Sequence, residues 1–371
     1  MHGGSAEVPY HLSKELAKRG HEVTIYTSDY KLSQDYISSI PRVEVHPFKT
    51  WSSWANLYMT PGIINRAREE TRQFDIIHMH NYRSFQNLVI AHYAREYDIP
   101  YVLQAHGSAT TFFQKGWLKR TFDELWGYRI LRDAARVIAV TKIEAEQYQS
   151  LGADNDKIEV VPHGIDLSEF DNLPERGDFK RKYGLDSKQR IILYLGRIDR
   201  IKGLNLLAEA FAGLSKKLSD TRLVIAGPDN GYLSSLKKLI TDLEISDKVF
   251  FTGPLYGQEK LSAYIDADVY VLPSSYEIFG ITLLEAMACS IPVITTDRCG
   301  IAAAVDGQAG LVVPHDKEQI ENALLHMLSD DKMRRDFGER GNLLVRDKFN
   351  WEKIAERVES IYKNTLNSYN T

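Results

Sequence analysis

Residues 266–289 read DADVYVLPSSYEIFGITLLEAMAC, and this stretch decides the fold. Its first half contains a continuous apolar run, which is typical of a strand buried on both faces, and its second half has helical spacing. The loop between them leads into a helix N-terminus, where backbone N–H groups favour an anion. Two carboxylates, Glu277 and Glu285, stand in that loop and helix. The succession of strand, loop and helix predicts a ligand site in an α/β fold.

A second stretch, GRIDRIKG at residues 196–203, follows the apolar run RIILYL. It places Arg197 and Lys202 in a turn bounded by glycines. Arginine binds phosphate oxygens bidentately and lysine acts as a point charge, so the pair suits a diphosphate. The plainer alternative is a solvated turn with incidental charge. Together with Glu277 and Glu285, the turn predicts a site that holds a diphosphate and a sugar at once.

Composition limits the remaining function classes. The chain of 371 residues suggests about two domains at ~150 residues each. Its net charge of −4 argues against nonspecific nucleic-acid binding. The two cysteines, Cys289 and Cys299, are too few for a secreted disulfide framework or a structural zinc site. No apolar run reaches the ~20 residues of a transmembrane helix, and no signal peptide is visible, which predicts a cytoplasmic protein.

Short apolar runs alternate with helical patterns along the whole chain. The predicted strands are EVTIYTS, FDIIHMH, PYVLQAH, RVIAVT and KIEVVPHG in the first half, and RIILYLG, TRLVIAG, KVFFTG, ADVYVLPS and PVITTD in the second. Parallel strands covered on both faces have this continuous pattern. The alternation therefore predicts two doubly wound α/β domains, joined by the polar, proline-containing stretch 165–178.

Polar residues and glycines follow several of these strands directly. They are His106, His163, Arg197, Gly227 and Glu277. In doubly wound folds, ligands bind beyond the carboxyl ends of the strands. We therefore expect these residues to line one cleft between the two domains.

The start of the chain departs from a regular doubly wound domain. MHGGSAEVPYHLSKELAKRGHEV reads as a glycine-rich loop, a helix and then a strand, with no strand before the loop. Two interpretations stand: the first strand was lost through a late start or a truncation, or this sheet has one strand fewer.

Several motifs occur in a fixed order over nearly the whole chain. They are Gly3-Gly4 with RGHEV, AHG at 105–107, PHGID at 162–166, GRIDRIKG, IAGP at 225–228, FFTGPL at 250–255 and EIFGITLLEAMA at 277–288. This ordered set resembles the retaining glycosyltransferases of the GT-B fold, of the group 1, family 4 type. His163 stands where that family more often has asparagine.

The resemblance implies two Rossmann-like domains that face each other across a cleft. The acceptor-side domain would comprise residues 1–168 plus 350–371, and the nucleotide-sugar-binding domain residues 169–349. The segment NWEKIAERVESIYKNTL, residues 350–366, would be a C-terminal helix that returns to the first domain.

The resemblance also implies roles for single residues. Those implied to act on the reacting groups are Arg197 and Lys202 (leaving diphosphate), Glu277 (sugar hydroxyls) and His106 (sugar ring or hydroxyl). Those implied to bind the donor are Gly3, Gly4, Gly196, Gly227, Gly253, Leu255, Ile278, Phe279, Gly280, Ile281, Thr282 and Glu285. Plainer alternatives remain, because a carboxylate near a helix start favours the dipole and a lone histidine is often structural.

Two Asp-x-Asp sequences raise the question of a metal. Asp154 and Asp156 lie in a polar turn, and Asp266 and Asp268 precede a predicted strand. Because neither pair follows the carboxyl end of a strand, we interpret both as structural. We expect no cofactor and no essential metal.

Residues 113–136 mix tryptophan and phenylalanine with lysine and arginine. The favoured interpretation is a helix that packs its aromatic stripe on the core. The alternative is an amphipathic basic helix in peripheral contact with an anionic membrane, which would suit a lipid-linked acceptor.

The sequence thus predicts a metal-independent, retaining transfer of a hexosyl or related group from a nucleotide-sugar donor to an acceptor hydroxyl. The acceptor would be a glycan, a polysaccharide or a glycolipid precursor. Two alternatives stay open: a nucleotide-sugar 2-epimerase of the same fold, and a non-catalytic binding subunit. A Rossmann dehydrogenase is disfavoured, because no G-x-G-x-x-G follows a predicted strand.

Overall fold

The computed structural model describes residues 4–32, 37–40, 42–54, 57–109 and 116–369. Contacts divide the chain into two units. The N-terminal unit comprises Met1–Gly164 and Trp351–Thr371, and the C-terminal unit comprises Ile165–Asn350. Both are α/β, with parallel sheets and helices between the strands, so the predicted fold class is confirmed. No helix within the described ranges is long and apolar enough to cross a membrane.

The strands of the N-terminal unit lie in three groups. Strands β1 and β2 are parallel, β3 and β4 form an antiparallel pair, and β5-β6-β7-β8 form a parallel sheet in that order. Their bounds are β1 Val23–Ser28, β2 Val43–Phe48, β3 Ser52–Trp54, β4 Leu57–Met59, β5 Ile77–His80, β6 Tyr101–Gln104, β7 Arg136–Ala139 and β8 Ile158–Val160.

Helices cover these strands. In chain order they are α1 Gly4–Lys18, α2 Gly62–Glu70, α3 Phe85–Glu96, α4 Gly116–Phe122, α5 Tyr128–Asp133 and α6 Lys142–Ser150. A π-helical turn, Asp123–Gly127, joins α4 to α5. Local chemistry starts two of them, because the side chains of Ser84 and Thr141 accept backbone N–H bonds as N-caps of α3 and α6.

The last helix of the chain, which we number α15, spans Trp351–Tyr369 and packs in the N-terminal unit. Its apolar face joins Val8 and Leu12 of α1 and Val102 of β6 in one buried cluster. Among the described residues, β1 pairs only with β2 and β5 pairs only with β6. The parallel strands of this unit are thus split between two sheets.

The C-terminal unit is a six-stranded parallel sheet with the order β11-β10-β9-β12-β13-β14. The strands are β9 Arg190–Leu195, β10 Thr221–Ala226, β11 Val249–Gly253, β12 Val269–Leu272, β13 Val293–Thr296 and β14 Gly310–Val313. Counted along this unit, the order is 3-2-1-4-5-6, the doubly wound arrangement of Rossmann folds. The chain changes direction across the sheet between β9 and β12, which is where such folds bind ligands.

The helices of this unit are, in chain order, α7 Asp178–Tyr183, α8 Leu204–Lys217, α9 Leu233–Asp242, α10 Gly257–Asp266, α11 Ile281–Ala288, α12 Ala302–Val305, α13 Lys317–Ser329 and α14 Asp331–Lys348. The central strands are buried throughout, as β12 and β13 show no exposed residue. The runs predicted at β12 and β13 therefore have the burial that the pattern indicated. The run at β8 does not, because Glu159 and Val160 are exposed.

Candidate active site

The turn after β9 brings two of the predicted cations to the switch point of the C-terminal unit. Asp199 starts a short 3₁₀ turn, Arg200–Lys202, by accepting the N–H of Ile201 at 3.0 Å. Gly203 ends that turn with φ +67°, and a Cβ there would lie 2.0 Å from the carbonyl oxygen of Pro273. Glycine is therefore required for the turn after β9 to approach the loop after β12 so closely.

Lys202 and Glu277 meet across that approach. Their Nζ and Oε2 atoms lie 2.5 Å apart, and both side chains are largely buried. Backbone bonds hold Glu277 in the loop after β12. Its N–H donates to the carbonyl of Arg298 at 3.1 Å, and its carbonyl accepts the N–H of Gly300 at 2.9 Å. The structure thus joins two residues for which the sequence predicted separate roles.

Arg197 has a different environment from Lys202. It is exposed, and its guanidinium forms no ion pair with any residue that the structure describes. Its backbone is fixed, because the carbonyl accepts a hydrogen bond from the Tyr194 hydroxyl at 2.7 Å. Burial raises the pKa of Tyr194 far above its usual value, so this phenol stays a donor. The anchored backbone presents an available cation at the carboxyl end of β9.

Glu285 lies on α11 with both carboxylate oxygens engaged. Oε1 lies 2.9 Å from Lys260 Nζ, and Oε2 accepts the Tyr264 hydroxyl at 2.8 Å. A carboxylate can accept further bonds, so these contacts orient Glu285 and leave acceptor capacity for a ligand hydroxyl. Sequence reasoning missed Lys260 and Tyr264, because neither belongs to a recognisable motif.

The N-terminus of α11 carries the remaining residues of this loop. Gly280 occupies the N-cap position with φ +80°, Phe279 is buried, and Ile278 and Ile281 are partly buried. Thr282 Oγ1 accepts the Tyr270 hydroxyl at 2.6 Å. The first backbone N–H groups of a helix have no partner within it, so this end offers donors to an anion.

The predicted glycines at the neighbouring strand ends serve close backbone packing. The N–H of Gly227 donates to the carbonyl of Gly253 at 2.8 Å, and that of Gly196 to Ala226 at 2.9 Å. A Cβ on Gly227, where φ is +146°, would lie 1.8 Å from the carbonyl oxygen of Gly196. Leu255 is 5% exposed and belongs to the core.

In the N-terminal unit, His106 sits in the loop after β6 between two other histidines. His80 Nδ1 lies 2.8 Å from His106 Nε2, and His106 Nδ1 lies 3.0 Å from His163 Nε2. Burial lowers the pKa of all three rings, that of His80 to about 4 and that of His163 to about 3. Both ring nitrogens of His106 are engaged, so a ligand hydroxyl bonds to this ring only by replacing one partner.

Backbone contacts fix the loop that carries His106. His106 has φ +53°, a conformation that L-residues rarely adopt. The next N–H, of Gly107, donates to Glu144 at 2.5 Å, and that of Ala105 donates to the Tyr148 hydroxyl at 2.6 Å. Burial raises the pKa of Glu144 to about 7. The sequence carried a signal for His80, the histidine that ends a predicted strand, but none for Glu144 or Tyr148.

The glycine-rich start is only partly described. Gly3 lies outside the described residues, and Gly4 is the first residue of α1. The expectation that these glycines let backbone approach a phosphate or an acceptor stays a prediction.

In both Asp-x-Asp sequences, aspartate carboxylates accept hydrogen bonds from backbone N–H groups. Asp266 accepts the N–H groups of Gly177 and Lys180 at 2.5 and 2.9 Å. Asp268 accepts that of Ile191 at 2.8 Å. Asp154 accepts that of Asp156 at 3.2 Å. Among the described residues, no group of three or more histidine, cysteine, aspartate or glutamate side chains is arranged to hold a metal ion.

The structure describes residues 116–136 of the aromatic and basic segment, and several large side chains there face solvent. Trp117 is 70% exposed and Trp126 43% exposed, and Leu125 and Tyr128 are exposed as well. The favoured expectation of an aromatic stripe packed on the core is therefore wrong for these side chains. The core contacts of this segment come instead from Ile130 and its neighbours.

Comparison with known proteins agrees with this architecture. The family model for glycosyl transferases group 1 matches residues 175–344, and that for glycosyltransferase family 4 matches residues 2–169. A D-inositol 3-phosphate glycosyltransferase of Pseudarthrobacter chlorophenolicus is 31% identical over 372 residues, covering 93% of this chain and 86% of that protein.

Two solved structures are similar over almost the whole chain. Sucrose-phosphate synthase from Thermosynechococcus elongatus has a TM-score of 0.77 at 24% identity, covering 99% of this chain and 94% of that one. HepE from Anabaena in complex with UDP has a TM-score of 0.79 at 17% identity, covering 98% and 96%. Given the doubly wound units, the two family matches and the 31% identical relative, the chain belongs to the group 1, family 4 glycosyltransferases and has the GT-B fold.

Proposed function

We propose that this enzyme transfers a sugar from a nucleotide-sugar donor to an acceptor hydroxyl, with retention of configuration at the anomeric carbon. The observation that carries the proposal is the contact between Lys202 and Glu277 at the switch point, beside the exposed Arg197. A cation next to a carboxylate suits a ligand that joins an anionic diphosphate to a neutral polyhydroxyl sugar.

The diphosphate binds Arg197 and Lys202, and the N-terminus of α11 supplies backbone donors to it. Arg197 enters this role without breaking an ion pair of the described structure, whereas Lys202 shares its charge between Glu277 and the incoming phosphate. Glu285, oriented by Lys260 and Tyr264, accepts the ribose hydroxyls. The nucleobase is left open among uracil, guanine and adenine.

The chemical step is a front-face substitution. The bond from the anomeric carbon to the leaving phosphate oxygen breaks, and the bond to the acceptor oxygen forms on the same face. The departing phosphate oxygen takes the acceptor proton. Because negative charge gathers on the leaving diphosphate, Arg197 and Lys202 stabilise the transition state more than the ground state. These cations supply the positive charge, so we expect a metal-independent enzyme.

The sugar is held through its hydroxyls. Glu277 accepts hydrogen bonds from them while Lys202 turns toward phosphate. His106, which the N-terminal unit carries, contacts the sugar through an imidazole that burial keeps neutral. A neutral ring donates or accepts without repelling the positive charge that develops on an oxocarbenium-like sugar.

The acceptor class follows from two observations. The relative from Pseudarthrobacter chlorophenolicus is named for D-inositol 3-phosphate, so small phosphorylated polyols belong in an acceptor screen. The exposed tryptophans and basic residues of 117–133 favour a lipid-linked acceptor presented at an anionic membrane. Polysaccharide and glycolipid precursors are therefore the second acceptor class to test.

The test is a transfer assay with UDP-, GDP- and ADP-sugars against both acceptor classes, with product configuration read by NMR. An acceptor-dependent product with the donor's anomeric configuration supports the proposal. Release of a C2 epimer without acceptor would instead identify an epimerase, and donor binding with neither product would identify a binding subunit. An inverted product would contradict the retaining mechanism.

A further inference from the structure

Three partly buried imidazoles form a continuous hydrogen-bonded line in the N-terminal unit. The contact from His80 Nδ1 to His106 Nε2 is 2.8 Å, and that from His106 Nδ1 to His163 Nε2 is 3.0 Å. The ring planes of His80 and His106 are nearly parallel, with an angle of 7° between them and 5.1 Å between the ring centroids. The three residues lie at or just beyond the carboxyl ends of β5, β6 and β8, the edge at which such sheets bind ligands.

Neutral imidazole has one N–H donor and one bare nitrogen acceptor. Burial lowers the pKa of each ring well below neutral pH, so all three are uncharged in the fold at pH 7. Each contact in the line therefore needs one ring to donate and the next to accept. The backbone keeps the middle ring in place, because the following N–H is bonded to Glu144.

Counting protons leaves only two arrangements. If His106 carries its proton on Nε2, it donates to His80 Nδ1 and accepts from His163 Nε2, so all three rings are Nε2–H. If His106 carries its proton on Nδ1, the same reasoning makes all three rings Nδ1–H. Any mixed arrangement places two protons or two lone pairs face to face in one of the contacts. That hydrogen bond is then lost, and its polar atoms stay unsatisfied away from water.

We propose that His80 and His163 are positioning residues that set the tautomer of His106, and that the three rings change tautomer together. The proposal rests on the sugar contact proposed for His106. A ligand that accepts a hydrogen bond from one end of the line fixes the same tautomer in every ring. In the free enzyme, the tautomer of His106, and so whether an arriving sugar meets a donor or an acceptor there, is thereby decided by two residues that do not themselves touch the sugar.

The two positions predict opposite rescue patterns for amide side chains. At 163 the bonded atom is Nε2, which the longer glutamine reaches and asparagine does not. At 80 the bonded atom is Nδ1, which asparagine reproduces and glutamine overshoots. Either amide supplies both a donor and an acceptor, so the well-placed amide suits either tautomer.

We expect His163→Gln to keep at least ~10-fold more of kcat than His163→Asn, and His80→Asn at least ~10-fold more than His80→Gln, the size expected when one buried hydrogen bond is lost. KM for the donor should change less than kcat. If the same amide is better at both positions, or if all four variants behave alike, the side chains only fill space and the proposal fails.

His78 supplies the matched control. It stacks on His80 at 4.3 Å and is equally buried, but its Nδ1 bonds to the Tyr362 hydroxyl at 2.7 Å and lies outside the line. The pair His78→Asn and His78→Gln should leave kcat ratios near one, apart from effects on stability. A tenfold difference within this pair would show that burial alone accounts for the pattern.

A second measurement needs no transferase activity. Selective ¹⁵N labelling of the 11 histidines, with ring signals assigned from the variants, reports the protonated nitrogen of each neutral ring. We expect His80, His106 and His163 to share one tautomer at pH 7. One Nδ1–H ring beside an Nε2–H ring would overturn the proposal even in an active enzyme. If no transfer is found but the tautomers match, the proposed function fails and the coupled line stands.

Discussion

Lys202 Nζ lies 2.5 Å from Glu277 Oε2, although the two residues are 75 positions apart in the chain. The contact bridges the turn after β9 and the loop after β12, the two strands that flank the switch point of the C-terminal unit. It neutralises one of the two cations at this point and leaves Arg197 without an ion pair among the described residues. An arriving diphosphate therefore meets Arg197, which has no ion pair among the described residues, and Lys202, which is already paired with Glu277.

Removing either cation should slow transfer. We expect Arg197→Ala and Lys202→Ala each to lower kcat/KM by ~10²-fold or more, since a leaving diphosphate loses a charge that stabilises it in the transition state. Arg200→Ala is the matched control, because this arginine is exposed in the same turn and belongs to no predicted contact. Steady-state kinetics on the three variants gives the comparison. Near-normal turnover in Arg197→Ala or Lys202→Ala would remove that residue from the role.

The pair of Lys202 and Glu277 should be coupled in stability. Each single change, Lys202→Met or Glu277→Gln, leaves the partner charge largely buried without its counter-ion and should cost about 1–3 kcal/mol. The double variant should cost less than the sum of the two. Urea unfolding of the four proteins measures the cycle. Additive effects would mean that the contact contributes nothing to the fold.

Acid should destabilise the N-terminal unit through its neutral histidines. His80 and His163 have folded pKa values of about 4 and about 3, below the unfolded value near 6.5, so the unfolded chain binds protons first as pH falls. Between pH 7 and pH 5, each of these two rings should lower the free energy of unfolding by about 2 kcal/mol. Glu144, whose folded pKa is raised to about 7, works in the opposite direction.

A variant separates these contributions. His163→Gln lacks one titrating ring, so its stability relative to the wild type should improve by about 2 kcal/mol between pH 7 and pH 5. Chemical denaturation at the two pH values measures the difference. Parallel pH dependence in both proteins would show that His163 is not held neutral by the fold.

The exposed aromatic surface should bind anionic vesicles. Trp117 and Trp126 are exposed, and so are Arg129 and Arg132 of the same segment, which both lie near Asp133. Exposed aromatic rings with basic side chains suit insertion among negatively charged headgroups. We expect Trp117→Ser/Trp126→Ser to reduce flotation with anionic liposomes several-fold. Trp51→Ser, at a 75% exposed tryptophan outside this segment, should not. If the wild type shows no salt-sensitive binding to anionic vesicles, the membrane proposal is contradicted.

Much of the fold could be predicted, because parallel strands that are covered on both faces have continuous apolar sequences. β9, β12 and β13 have this pattern and are buried as it indicates. β2, with the sequence VEVHPF, was missed because polar and apolar residues alternate there and two of its six residues are exposed. β14 was missed since GLVV is short and follows a glycine turn.

The sequence suggested which residues belong to the candidate site, and their roles stay predictions, but it could not give the contacts between them. Arg197, Lys202 and Glu277 stand out because they follow covered strands, whereas their distances depend on strand order and register. The bond from Lys260 to Glu285 joins two helices and has no local signature. His80 and His163 could not be predicted as the partners of His106 for the same reason, because three separate strands bring the rings together.

The most direct test of the donor site is calorimetric titration of UDP, GDP and ADP, each alone and as its sugars, into wild type and Arg197→Ala. We expect one nucleotide to bind selectively and to bind at least ~10-fold more weakly to the variant, as loss of a charged phosphate contact does. The Arg200→Ala protein should bind like the wild type. Equal affinity of wild type and Arg197→Ala for the preferred nucleotide, or no binding of any nucleotide by the wild type, would contradict a diphosphate site at this switch point.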